Sequence, residues 1–119
     1  MDIINKFYIT NRREVAEIIN KIPIHDVLQA FYGINVTPKY SNKASIPCPI
    51  HKGKNKNFTV YFDTNTCHCF SKCAKTYNVI SLAYEYLRTR DFDYMAIKLC
   101  LTFNINIEEY LRVKEGQNV

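Results

Sequence analysis

Cys48-Pro49-Ile50-His51 and, starting 18 positions after that histidine, Cys69-Phe70-Ser71-Lys72-Cys73 decide how this chain folds. A Cys-x2-His pair and a Cys-x3-Cys pair offer three thiols and one imidazole. These are the donors zinc prefers, at the spacings it usually takes. Pro49 favours the tight turn that aims Cys48 and His51 at one point. Four protein ligands, Cys48, His51, Cys69 and Cys73, fill a tetrahedral shell. The expected cofactor is therefore one structural Zn²⁺, with no open position for hydrolysis. Cys67 shares a strand face with Cys69, so it stands open as a replacement ligand. His68 points to the other face.

Between the two pairs the pattern is that of a hairpin. Phe58, Val60 and Phe62 alternate with Thr59, Tyr61 and Asp63, which is strand periodicity. Asp63 to Thr66 is turn chemistry, and Thr66 to Phe70 is the return strand. Ala44 to Pro47 is expected as a third, short strand. So small a hairpin is not stable alone in water. The metal at its ends would staple it.

Helical patterns flank the ribbon. Asn11 is placed to cap a helix, with Glu14 as its capping-box partner. Val15, Ile18, Ile19 and Ile22 follow at helical spacing. Pro23 breaks that helix and can start the next, which carries Ile24, Val27, Leu28 and Phe31. Gly33 is expected to close it in the left-handed conformation. Asn78 caps a helix bearing Val79, Leu82, Ala83, Tyr86 and Leu87. Asp91 or Asp93 caps another with Met95, Ile97, Leu99 and Leu101. Ile107 to Lys114 reads as a last amphipathic turn or two. The fold class is α+β: a small zinc-ribbon-like antiparallel hairpin or sheet between N- and C-terminal helices. One domain is expected over residues 1–119, helical at 11–33, ribbon at 44–76 and helical again at 78–115.

Composition limits the alternatives. The 119 residues are 47% hydrophobic and 13% aromatic, enough for a core and against wholesale disorder. No apolar run approaches the length of a membrane span, and Asp2 and Lys6 interrupt any secretory signal. A cytoplasmic protein with no membrane partner is expected. Five cysteines, an odd number, suit metal better than disulfides there. The richness in Asn, Lys, Ile and Tyr fits an AT-rich gene. The net charge is +5, but between Asp26 and Glu85 seven lysines face one acid, Asp63. Such a cluster suits an anionic partner.

The order Cys-Pro-Ile-His (48–51), a basic loop (52–57), Phe-Thr-Val (58–60), His-Cys-Phe (68–70), Cys73 and Asn-Val-Ile-Ser-Leu (78–82) resembles the zinc-binding domain of bacterial, DnaG-type DNA primases. The resemblance runs from about residue 15 to 110. The second knuckle is one residue longer than the family's, and Ala74-Lys75-Thr76-Tyr77 stand where the family has glycines. The resemblance implies binding of single-stranded template DNA in cooperation with a separate polymerising domain. With the AT-rich gene, the expected role is a non-catalytic subunit beside a separately encoded polymerase or primase catalytic subunit, in a phage or mobile-element replication module. Lys52, Lys54 and Lys56 would meet phosphates, and Tyr61 and His68 on the outer hairpin face would meet bases. Phe58, Phe62 and Phe70 are assigned to the core, with base stacking as their other use. Tyr84, Tyr94 and Tyr110 are candidate anchors for the catalytic subunit.

Catalysis is not expected of this chain, because nucleotidyl transfer needs clustered carboxylates holding metals. Asp91-x-Asp93 and Glu108-Glu109 are better explained as helix caps and a polar helix face. The alternatives are a zinc-ribbon regulator reading duplex DNA through Arg12 and Arg13, and a purely protein-binding adaptor.

Overall fold

The computed structural model describes residues 3–38 and 41–115. Lys39 of the central lysine cluster and Asp2 lie outside them. The order of elements is α+β, as the patterning predicts.

Helix α1 spans Arg12–Ile19, and the Asn11 side chain accepts the Glu14 N–H at 3.1 Å. Only this half of the expected capping box forms. The Glu14 carboxylate turns instead to the Tyr110 hydroxyl and, with some burial, pushes that phenol up to about 12. Helix α2, Ile24–Tyr32, follows Pro23 and ends at Gly33, whose φ of 69° is the left-handed turn that glycine adopts without strain.

Four short strands make the ribbon: β2 Lys43–Ile46, β3 Phe58–Tyr61, β4 Thr66–Cys69 and β5 Lys75–Tyr77. They pair antiparallel in the order β2-β3-β4-β5. Strand β5 extends the ribbon beyond the expected hairpin. Cross-strand register places Val60 opposite Cys67 and Cys67 opposite Tyr77, all buried on the inner face. Ser45, Thr59, His68 and Thr76 form one row across the outer face. Opposed residues share a face, so this row is the ribbon's polar side.

The hairpin tip does more than turn. Asn65 takes a φ of 57° and reaches back to the junction of α1 and α2. Its Oδ1 accepts the Ile24 N–H at 2.7 Å, and its Nδ2 donates to the carbonyls of Asn20 at 3.1 Å and Ile22 at 2.9 Å. Pro23 has no side chain able to cap α2. One asparagine therefore satisfies the start of α2 and the end of α1 together.

Helix α3, Val79–Leu87, opens on a reciprocal capping box between Asn78 and Ser81. Helix α4, Phe92–Thr102, is capped by Asp91, which accepts the Tyr94 N–H at 3.2 Å. Helix α2 packs on α3, α3 on α4 and β5, and α1 on α4. Leu28, Leu82, Met95 and Leu99 are fully buried among them. Asp93 is the buried acid of this layer. Arg12 grips it with bonds of 3.0 and 3.2 Å, and the Ile9 N–H adds a third at 3.4 Å. The Arg12 guanidinium, although 66% exposed, is thus held by a structural carboxylate.

The C-terminal expectation needs correction. After α4 the chain makes one 3-10 turn, Glu108–Tyr110, and then a strand, β6 Leu111–Val113. It pairs antiparallel with β1, Phe7–Ile9, setting Phe7 opposite Val113 and Ile9 opposite Leu111. The apolar positions after Ile107 that resemble a helix face are alternate strand positions.

Candidate metal centre

The first ligand pair sits on the turn after β2; of the second, Cys69 ends β4 and Cys73 lies in the turn before β5. Antiparallel pairing of β3 with β4 sets Phe58 opposite Cys69 and so brings the two turns to one end of the ribbon. There the Cys48 and Cys73 sulfurs are 3.8 Å apart. His51 Nδ1 is 3.3 Å from the Cys73 sulfur and 3.7 Å from that of Cys69. All four ligand atoms lie within 4.8 Å of one another. A tetrahedral zinc with Zn–S of about 2.3 Å and Zn–N of about 2.0 Å requires sulfurs about 3.8 Å apart and sulfur–nitrogen pairs about 3.5 Å apart. The donor set fits one zinc, bound through His51 Nδ1, and four protein ligands make it structural.

The surrounding amides prepare the thiolates. Burial pushes Cys48 up to about 11, with the N–H groups of His51 and Ile50 pulling the other way. Burial also opposes the Cys69 thiolate, but the amides of Ser71, Cys73 and Ala74 and the Cys48 thiol outweigh it and bring the group down to about 7. Each turn thus points backbone donors at its first sulfur.

Cys67 is not a ligand. It packs at zero exposure between Val60 and Tyr77, and burial lifts its thiol to about 12. Cys100 is likewise a core residue, pushed up to about 11 by burial. Among the described residues no second cluster of His, Cys, Asp or Glu is placed to hold a metal.

Both ligand turns exit through strained backbone. Lys52, after His51, has φ 55°, and Ala74, after Cys73, has φ 46°. Left-handed backbone costs a non-glycine residue about 1 kcal/mol or more. Gly53 is needed for a different reason. A Cβ there would lie 2.8 Å from Nε2 of His51, a ring that ligation holds in place. Gly53→Ala is therefore expected to weaken zinc by at least tenfold, as loss of a residue supporting a ligand does. Competition with a chromophoric chelator measures this, and unchanged affinity would refute the packing argument.

The other expected site residues divide into separate places. Lys52, Lys54 and Lys56 are exposed on the loop between the first knuckle and β3. Tyr61 and His68 are half-buried and share the outer sheet face. Phe58 is buried and Phe62 packs against the core, as expected. Phe70 does not. It is 62% exposed and lies against the His68 ring, with centroids 4.3 Å apart. Continuing the alternation past Cys69 puts Phe70 on the side of His68, the outer face, so the strand pattern itself argues against the core assignment. Tyr84, Tyr94 and Tyr110 are half-buried rather than presented; the exposed tyrosines include Tyr86.

A ribbon of short antiparallel strands whose turns supply a Cys-His and a Cys-Cys pair to one zinc is a zinc ribbon. The family model for the CHC2 zinc finger, the DnaG-type zinc ribbon, matches residues 10–115, and the chain belongs to that family. It is a primase-related zinc-binding domain. No curated protein and no solved structure matches it. No described helix is long and apolar enough to cross a membrane.

Proposed function

We propose that this protein is a non-catalytic accessory subunit that holds single-stranded template DNA for a separately encoded polymerase or primase. The observation that carries the reading is the exposed Phe70 ring against His68, on the same face as Tyr61. Exposed aromatic surface on a polar sheet face suits base stacking, and every base has a face to stack. The Phe70 N–H donates to the Asn57 carbonyl at 2.7 Å, which ties this pair to the end of the lysine loop. Phosphate contacts and base contacts would then be neighbours. The AT-rich composition agrees with a phage or mobile-element replication module, and the family with primer synthesis. The catalytic subunit would dock on the helices, leaving the ribbon to the template.

The test is binding of oligothymidylate across a range of salt. Phe70→Ala is expected to weaken it by roughly 5- to 150-fold, the equivalent of about 1–3 kcal/mol for one stacked base. Replacing Lys52, Lys54 and Lys56 by alanine should flatten a log–log salt slope of about −2, the value for about three phosphates on a single strand. The triple variant should still co-purify with the catalytic subunit but fail to support primer initiation. Normal initiation would mean that the loop is a solvated turn and the template is held elsewhere.

A further inference from the structure

A cleft of about 810 Å³ opens between the first zinc knuckle and helix α3. Lys52, Lys75, Arg88 and Arg90 line it, with Glu85 as its one acid and Tyr86 among its aromatic walls. Four cations against one carboxylate leave an excess of three positive charges. None of the four is ion-paired with a described carboxylate. Arg88 closes α3 in the left-handed conformation, φ 53°, where glycine would be relaxed. A charged side chain is thus kept at a strained position that faces other cations. Tyr86 is 45% exposed and is braced by Phe31, stacked at 4.6 Å between centroids. Apart from Lys52, which borders both, the cleft is a different surface from the lysine loop and outer sheet face. Lys75 lies opposite Cys69, whereas the next residue, Thr76, lies opposite His68, and successive strand residues point to opposite sides.

We propose that this cleft binds a nucleoside 5′-triphosphate. Lys52, Lys75, Arg88 and Arg90 take the polyphosphate, and Tyr86 offers a braced ring to the base. The volume suits a small molecule rather than an extended strand. The excess of positive charge matches the several negative charges that a polyphosphate concentrates in one place. A base on one tyrosine needs no row of stacking rings. Arginine is the side chain best shaped for phosphate, through paired N–H bonds. The same chemistry is carried by a free nucleotide and by the triphosphate at the 5′ end of a nascent RNA. The proposal does not depend on template binding by the outer face.

The experiment titrates the zinc-loaded full chain with Mg-ATP, AMP, inorganic tripolyphosphate, and an oligoribonucleotide carrying either a 5′-triphosphate or a 5′-hydroxyl. ATP is expected to bind at least tenfold more tightly than AMP, with tripolyphosphate competing for the same site. Combining Arg88→Gln with Arg90→Gln should lower ATP affinity at least tenfold. Lys75→Gln alone should act in the same direction should the double variant fold poorly. Oligothymidylate affinity should stay within twofold in these variants, and Phe70→Ala should leave ATP binding intact. Tighter binding of the triphosphorylated oligonucleotide than of its hydroxyl form assigns the site to the primer end; equal binding assigns it to free nucleotide. ATP binding no tighter than AMP overturns the proposal, as does a folded double variant that binds ATP like wild type. Loss of oligothymidylate binding in proportion also overturns it, because the cleft would then belong to a strand-binding surface. Failure of Phe70→Ala to weaken oligothymidylate binding would count against the template reading alone.

Discussion

Cys48→Ser, and equally Cys73→Ser, is expected to abolish zinc binding and unfold the ribbon. The strands it would leave are three or four residues long, too short to persist without a staple. A structural zinc site contributes ~10 kcal/mol or more, as much as the whole stability of an ordinary domain. The loss should extend past the ribbon, because Phe58, Val60, Cys67 and Tyr77 belong to the same core as Leu28 and Leu82. Metal analysis and circular dichroism on each variant measure both effects. Cys67→Ser should retain one zinc per chain and lose only packing, since that thiol faces Val60 and Tyr77. Zinc lost from Cys67→Ser but kept in Cys69→Ser would show that the ligand set is wrong.

Asn65→Ala should cost about 3 kcal/mol of unfolding free energy with the zinc still bound. Three hydrogen bonds to backbone groups are lost, each worth about 1 kcal/mol. The alanine must also hold a left-handed φ of 57°, which asparagine tolerates better. Asn65→Gly separates the two causes, because it relieves the backbone and still removes the bonds. Denaturant unfolding of the zinc-loaded protein gives the comparison. A loss below about 1 kcal/mol for Asn65→Ala would mean that water replaces the asparagine at the junction of α1 and α2. Zinc stoichiometry should not change, since the tip lies at the end of the hairpin away from the knuckles.

What could be read from the sequence follows the range of the interactions. The four zinc ligands were legible because each pair is local and its chemistry is narrow. Helices α1 to α3 were legible because burial of one face writes a period of 3.6 residues into the chain. Gly53 could have been noticed as one of three glycines, two residues after a ligand, but its clash with His51 exists only in three dimensions. Asn65 reads as a turn residue because its partners lie more than 40 residues away. Strands β1 and β6 have three residues each and find one another across the length of the chain, so neither carries a periodic signal. Arg88 and Arg90 resemble the polar end of any helix until the fold sets them beside Lys52 and Lys75.

The pairing of β1 with β6 also determines how the molecule bears load. Phe7 and Val113, the outermost residues of the two strands, sit directly opposite each other. Tension applied through the flanking chain therefore acts across the strands, and their hydrogen bonds break in succession, as in a zipper. Such a clasp yields to a small force, whereas sliding two strands lengthwise would require breaking every bond at once. The metal centre, far inside the chain between residues 48 and 73, is shielded from that pull until the clasp has opened.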